Sequence, residues 1–237
     1  TYNHEKYIVQ ALDSVLMQQI DFDYEIVIGD DLSQDKTRDI LQEYKNRYPS
    51  HIKLLLHSER LGVGRNVRRV YAACEGDYIA FLEGDDYWLS PQKLQKQMEF
   101  LTTHPNFALS FHPAQVYAEV EQRIVTVDGT APNGSVYSLA DLMAHTIFPR
   151  TCSVVFRRVF AMPDWMDDLQ HLDFIIFALA AQQGAIHYLD EVLAVYRRHA
   201  GGVYSGANRI TTIRNNINSF SALNRHFDYQ YATHLNL

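Results

Sequence analysis

Up to residue 105, apolar positions alternate between two rhythms. Ile8, Ala11, Leu12, Val15 and Leu16 recur at helical spacing in "NHEKYIVQALDSVLMQQ" (3–19), with Asn3 available as the N-cap. A short β-branched run, "YEIVIG" (24–29), then predicts a strand. It leads into "DDLSQDKT" (30–37), where Ser33 is placed to cap the helix "QDKTRDILQEYKNRY". "HIKLLLH" (51–57) reads as a second strand, "GRNVRRVYAAC" (64–74) as a helix and "DYIAFL" (77–82) as a third strand. "SPQKLQKQMEFLTTHP" (90–105) is a helix with Pro91 in its first turn. Strand–helix alternation of this kind argues for βα units and a largely parallel sheet, and such sheets bind ligands beyond the carboxyl ends of their strands.

After residue 105 the rhythm changes. "FALSFHPAQVYAEVEQRIVTV" (107–127) predicts strands with antiparallel returns, and "DGTAPNGS" (128–135) a turn-rich loop. A short helix over "SLADLMAHT" (138–146), a strand at "CSVVFRR" (152–158) and an apolar helix "LDFIIFALAAQQG" (172–184) with a glycine cap follow. "EVLAVYRRHAGG" (191–202) is a strand running into a loop. In "NRITTIRNNINSFSALNRHF" (208–227), Ile210, Ile213, Ile217 and Phe220 stand at helical spacing. With no repeat and no linker, this is one domain, residues 1–205, with a helical tail, 206–237.

The composition is that of an ordinary globular protein: 237 residues, 47% hydrophobic and 21% charged. A formal charge of −7 argues against nucleic acid as a partner, and the Arg pairs 68–69, 157–158 and 197–198, far apart in sequence, read mostly as solvated surface. Two cysteines, Cys74 and Cys152, form neither a disulfide framework nor a zinc pattern, which makes a reducing compartment the default. No apolar run approaches the ~18 residues of a membrane span.

Chemistry concentrates at two strand ends. Asp30 and Asp31 follow "YEIVIG", where carboxylates can accept from a base N–H or a ribose hydroxyl; capping a turn would explain them equally well. "FLEGDDYW" (81–88) crowds Glu83, Asp85 and Asp86 together, an arrangement that a solvated turn or a divalent cation would make tolerable. In "HLD" (171–173), Asp173 opens an apolar helix, as a cap or as a general base. His199, ahead of two glycines, is a metal ligand or a loop histidine. No HExxH, CxxC, GxSxG or phosphate-loop signature is present.

Taken in order, "TYN", "DDLSQDKT", "GRN", "DYIAFLEGDD", "HLD" and "AVYRRH" resemble the family 2 glycosyltransferases of the GT-A fold, especially bacterial members that build surface polysaccharides. The resemblance runs from residue 1 to about 205. It implies an α/β fold with a Rossmann-like mixed sheet flanked by helices, and an inverting, metal-dependent transfer of sugar from a nucleotide donor, UDP- or dTDP-linked. The acceptor would be a glycan or lipid-linked hydroxyl, and the cation Mg²⁺ or Mn²⁺. Residue by residue, Asp31 matches the aspartate that contacts the pyrimidine, with Tyr2 and Asp30 beside it. Asp85 matches the metal-binding aspartate of the DxD motif, and Glu83 its first position, toward the ribose. Asp173 matches the catalytic base, with Leu172 where the family has Glu, and His199 the C-terminal histidine of the metal site. The resemblance also implies a cytoplasmic protein, at the inner membrane face if the acceptor is lipid-linked.

Two departures stand out. The family's β-branched strand ahead of "TYN" is absent from a sequence opening at Thr1, and "FPRTCSVVFRR" (148–158) stands where a glycine loop is usual. In mechanism, the cation would stabilise charge on the leaving diphosphate while Asp173 takes the proton of the attacking hydroxyl from the opposite side, giving inversion. A nucleotide-sugar nucleotidyltransferase would instead show a Gly-rich basic loop near the start. A non-catalytic binding module would have lost Asp31, Asp85 and Asp173, which are all present.

Overall fold

A computed structural model describes residues 1–131, 135–202, 206 and 208–233. The first half carries α1 (Ile8–Leu16), β1 (Ile26–Asp30), α2 (Thr37–Arg47), β2 (Ile52–Leu56), α3 (Val63–Ala73), β3 (Tyr78–Ala80), β4 (Tyr87–Trp88) and α4 (Lys93–Thr103). The second half carries β5 (Phe107–Phe111), β6 (Ala114–Ala118), β7 (Arg123–Asp128), β8 (Val136–Tyr137), α5 (Leu139–Met143), β9 (Val155–Arg157), α6 (Asp173–Ala181), β10 (Ala185–Tyr188), β11 (Ala194–Arg198) and α7 (Arg209–His226). Part of the predicted 128–135 loop, and of the tail, lies outside the described residues.

The strands form a parallel pair, β1-β2, a mixed sheet in the order β3-β9-β5-β10-β8, and a second mixed sheet in the order β4-β11-β6-β7. Helices flank them, so the expected mixed α/β architecture is present. The parallel character predicted for the first half is confined there to β1-β2. β3 pairs antiparallel with β9, and the other parallel ladders are β5-β10 and β6-β11. "FALSFHPAQVYA" crosses from one sheet to the other at His112-Pro113, where proline supplies no N–H to a ladder. Thr1 lies beside β1 as a further parallel rung: its nitrogen donates to the Gly29 carbonyl at 2.8 Å, and the Asp31 N–H donates to the Thr1 carbonyl at 3.0 Å.

The main core gathers around α6. Every residue from Phe174 to Ala181 is buried, as expected of a helix apolar on all sides. Phe111 and Phe156 pack on it from the sheet, and Leu223 and Phe227 close it from the C-terminal end of the chain. A second cluster joins α1, α2 and β2 through Ile8, Leu12, Leu41, Tyr44 and Ile52.

Several local expectations fail for identifiable reasons. Asn3 does not cap α1, which starts after Tyr7. Asn3 is left-handed (φ 55°), and its side chain accepts from the Gln34 N–H at 2.8 Å. Ser33 does not cap α2 either: its hydroxyl donates to Asp30 and accepts from the Asn3 N–H at 2.9 Å. Both side chains tie two loops together instead. α6 ends through Gln182 rather than a glycine cap. On α7 the face carrying Ile210, Ile213 and Ile217 is exposed, while Ser219, Ala222 and Leu223 turn inward. Two of the arginine pairs contribute inward-facing members: Arg197 is buried, and Arg157 donates to the carbonyls of Phe107 and Leu101.

Candidate active site

The end of β1 buries both of its aspartates and gives them different partners. Asp30 is fully buried, with both oxygens taken by Ser33 and by Arg38 at 2.5 Å. It therefore braces the loop through Ser33 and Arg38. Asp31 holds the loop before α3, accepting from the backbone N–H groups of Leu61 at 2.6 Å and Gly62 at 3.1 Å. Arg60 lies 3.4 Å from Asp31 and stacks over the Tyr2 ring at 3.4 Å from its centroid. Tyr2, Asp31 and Arg60 thus form one cluster at the carboxyl edge of β1. Arg60 was not signalled by the sequence, since "SERLG" reads as ordinary loop.

The second strand end is built by β4 and β11, whose pairing of Tyr87 with Val195 and Trp88 with Ala194 sets residues 83–86 beside 197–199. Asp86 is buried there, accepting from the Arg197 N–H at 2.8 Å. The Arg197 guanidinium donates to the Asp85 carbonyl and to Gln10, and sits between the rings of Tyr7 and Tyr87. His199 Nε2 is 2.9 Å from Asp85 Oδ2, and the Tyr7 ring packs against the imidazole at 4.6 Å. Residues more than a hundred positions apart in sequence therefore meet at one carboxylate.

Glycine is required between Glu83 and Asp85. A Cβ on Gly84 would fall 2.6 Å from Thr1 Oγ1 and 2.8 Å from His4 Nδ1. His4 is the second residue that the sequence did not signal: its Nε2 reaches within 3.8 Å of the same Asp85 oxygen. Burial pushes the His4 imidazole down to about 4, so it is neutral near pH 7. At Asp85, burial acts upward, but the His199 hydrogen bond and the two histidines outweigh it and hold the carboxyl below the usual range. Glu83 is solvent-accessible yet enclosed by protein. That enclosure, and then the charges of Asp85 and Asp173, push its carboxyl up.

Asp173 opens α6 half-buried, and its Oδ1 accepts from the next residue's N–H, at 2.9 Å. The preceding turn is gripped by α7. Ser219 donates to the His171 carbonyl at 2.8 Å, and the His171 ring lies 2.6 Å from Asn216 Oδ1. Asp85 meets His199 directly, and Glu83 feels the charges of both Asp85 and Asp173, with Tyr2 and Asp31 at the neighbouring strand end.

The residues present suit a divalent ion. One donor atom each from His4, Asp85 and His199 lies within 4.8 Å of the others, a nitrogen–oxygen set that Mn²⁺ or a related ion accepts. A cleft of about 690 Å³ lies elsewhere, bordered by Arg65, Arg68, Arg69, Arg158 and Phe160, and none of the candidate residues lines it. Among the described residues, no helix is long and apolar enough to cross a membrane.

A mixed sheet flanked by helices, with acidic residues at the carboxyl ends of its strands, defines a GT-A glycosyltransferase fold. The chain belongs to glycosyl transferase family 2, whose model matches residues 1–161. A relative in Mycobacterium tuberculosis, an uncharacterized protein, is 38% identical over 210 residues. That alignment takes in 87% of this chain and 59% of the relative, so the chain spans about three-fifths of that protein's length. The crystal structure of Staphylococcus aureus TarS 1–349 with UDP-GlcNAc superposes with a TM-score of 0.67 at 21% identity, covering 97% of this chain and 71% of that 1–349 chain. The mannosyltransferase PcManGT of Pyrobaculum calidifontis, with GDP-Man and Mn²⁺, gives 0.67 at 16% identity, covering 95% of this chain and 62% of that one.

Proposed function

We propose that this chain is the catalytic unit of an inverting glycosyltransferase. It would move a sugar from a nucleoside-diphosphate donor, UDP- or dTDP-linked, to a hydroxyl of a glycan or lipid-linked acceptor in bacterial surface-polysaccharide assembly. The observation that carries this reading is the meeting of Asp85 and His199 at 2.9 Å beside Glu83 and Asp173. The nucleotide sugars held by TarS and PcManGT support a donor of this class. A bound Mg²⁺ or Mn²⁺ supplies charge stabilisation on the departing diphosphate. Asp85 and His199 would hold it, and Glu83 would reach toward the ribose. Tyr2 and Asp31 would receive the pyrimidine, with Arg60 moving from the Tyr2 face to admit it.

Asp173 is the group fitted to act as general base. It is half-buried, it is held at a helix start, and one of its oxygens has no protein partner among the described residues. It would take the proton from the acceptor hydroxyl as that oxygen attacks the anomeric carbon opposite the leaving group. In this reading residues 1–205 carry the site, and the 206–237 tail steadies the turn before Asp173. A cytoplasmic location, with peripheral contact at the inner membrane face through the acceptor, fits such a role.

The test is calorimetric titration of UDP with and without Mn²⁺. The Asp85 carboxylate, with Glu83 beside it, should repel a diphosphate unless a cation intervenes, so affinity should be far higher with metal than in chelator. Equal affinity in the two conditions would remove the metal from the proposal.

A further inference from the structure

His4 has no role in the reading above, yet its backbone is fixed beside the proposed ligands. The His4 N–H donates to Thr37 Oγ1 at 2.8 Å, and its carbonyl accepts from Tyr7 and Ile8, both at 2.9 Å. The Nδ1 edge of the ring lies against Gly84, where a Cβ would fall 2.8 Å from it. Among the described residues His4 Nδ1, the nitrogen turned toward Gly84, has no hydrogen-bond partner, so no hydrogen bond there competes for the ring's orientation. Its other nitrogen is aimed at Asp85 Oδ2 from 3.8 Å, too far for a hydrogen bond, while His199 approaches the same oxygen at 2.9 Å. The His4 and His199 rings stand 6.2 Å apart and nearly perpendicular, at 80°, so they converge on the carboxylate from different directions.

We propose that His4 completes the cation site, so that two imidazoles and one carboxylate bind a transition-metal ion before any nucleotide arrives. The inference rests on the reading that Asp85 and His199 hold the cation, and it adds two consequences. A site of one carboxylate and one imidazole must borrow most of its ligands from the diphosphate and water, so metal and nucleotide would bind together. Three protein ligands make a site that loads alone, leaving open positions for diphosphate oxygens. The donor set also selects the ion. Imidazole nitrogen binds Zn²⁺ and Co²⁺ well and Mn²⁺ less strongly, whereas Mg²⁺ favours oxygen ligands and gives up its waters reluctantly.

The experiment is a Mn²⁺ titration of nucleotide-free protein followed by electron paramagnetic resonance, in which the six-line signal of free Mn²⁺ disappears on binding. The unmutated protein should bind Mn²⁺ without UDP, and Mg²⁺ should compete only at roughly hundredfold excess or more. His4→Gln should weaken nucleotide-free Mn²⁺ binding by about tenfold or more, and His4→Glu should restore binding while narrowing the preference over Mg²⁺. Thermal melts of both variants report whether they fold. Folded His4→Gln and His4→Glu proteins that bind Mn²⁺ as the unmutated one does would overturn the proposal, as would Mn²⁺ binding that requires UDP. The latter result would leave Asp85 and His199 as ligands. Loss of Mn²⁺ binding both with and without UDP would refute the metal reading itself.

Discussion

Replacing Asp173 by Asn separates two roles that a carboxylate at a helix start can play. The structure bounds the structural effect. The side chain's hydrogen bond is to the Phe174 N–H at 2.9 Å, and an Asn carbonyl can keep it. What Asn loses is the interaction of a full negative charge with the α6 N-terminus, worth about 0.3–1 kcal/mol at such a position. Part of that loss is returned, because the Asp173 charge is one of those that raise the Glu83 carboxyl. Denaturant melts should therefore shift by less than about 1 kcal/mol. Loss of a general base instead costs roughly 10²–10⁴ in rate, about 3–5 kcal/mol of barrier. The assay is release of nucleoside diphosphate in the presence of acceptor, paired with calorimetric donor titration and a denaturant melt on the same preparation. The expected result is a rate fallen by two orders or more, donor affinity nearly unchanged and stability almost intact. Transfer within threefold of the unmutated rate would show that Asp173 only begins a helix.

Lys93 gives a test independent of the site. Its ammonium is fully buried between Gln97, at 2.8 Å, and the Trp88 ring, at 4.4 Å, and burial pushes it down to about 7. Between about 7 and the ordinary lysine value the unfolded chain holds the proton and the folded one does not, so folding stability should rise with pH across that window. Lys93→Met should flatten the rise in urea melts at pH 7 and 10; an unchanged slope would mean that Lys93 is charged and satisfied in place. Gly84→Ala should cost about 1–3 kcal/mol, because the new methyl overlaps Thr1 and His4. A neutral melt for that variant would show that the loop relaxes freely.

The parts of this molecule legible in its sequence are those set by local pattern. β-branched runs ending in Asp30-Asp31 and Glu83-Asp85 announced strand ends with carboxylates beyond them, and both are present. What depended on the direction of a side chain was not legible. Adjacent Asp30 and Asp31 look alike in a sequence, yet one points into Arg38 and the other toward the 60–62 loop. α7 carries two apolar stripes, and the more hydrophobic one, Ile210–Ile213–Ile217, faces outward because Ser219 and Leu223 fit the site turn and the core. His4 was hidden for a different reason. Nothing in "TYNHEKY" marks it until Gly84 lets the two loops touch, although its place two residues from Tyr2 could have raised it as a candidate. β3 was expected to pair in parallel with its neighbours, but its partner, β9, lies beyond residue 150.

The hold of α7 on His171 sets where this protein can be cut and joined. Trimming the chain at residue 205 would strip the Ser219 hydroxyl from the His171 carbonyl and withdraw Leu223 and Phe227 from the α6 core. The 171–173 turn would then lose its support, and with it, in the proposed mechanism, the placing of Asp173. A chimera that borrows this scaffold to combine one donor preference with another acceptor must carry α6, β11 and α7 as one piece. β11 brings His199 to Asp85, and α7 steadies the turn that leads to Asp173. The portable unit is thus drawn by which backbone groups hold which, and it reaches into the tail that the matched family region, 1–161, leaves out.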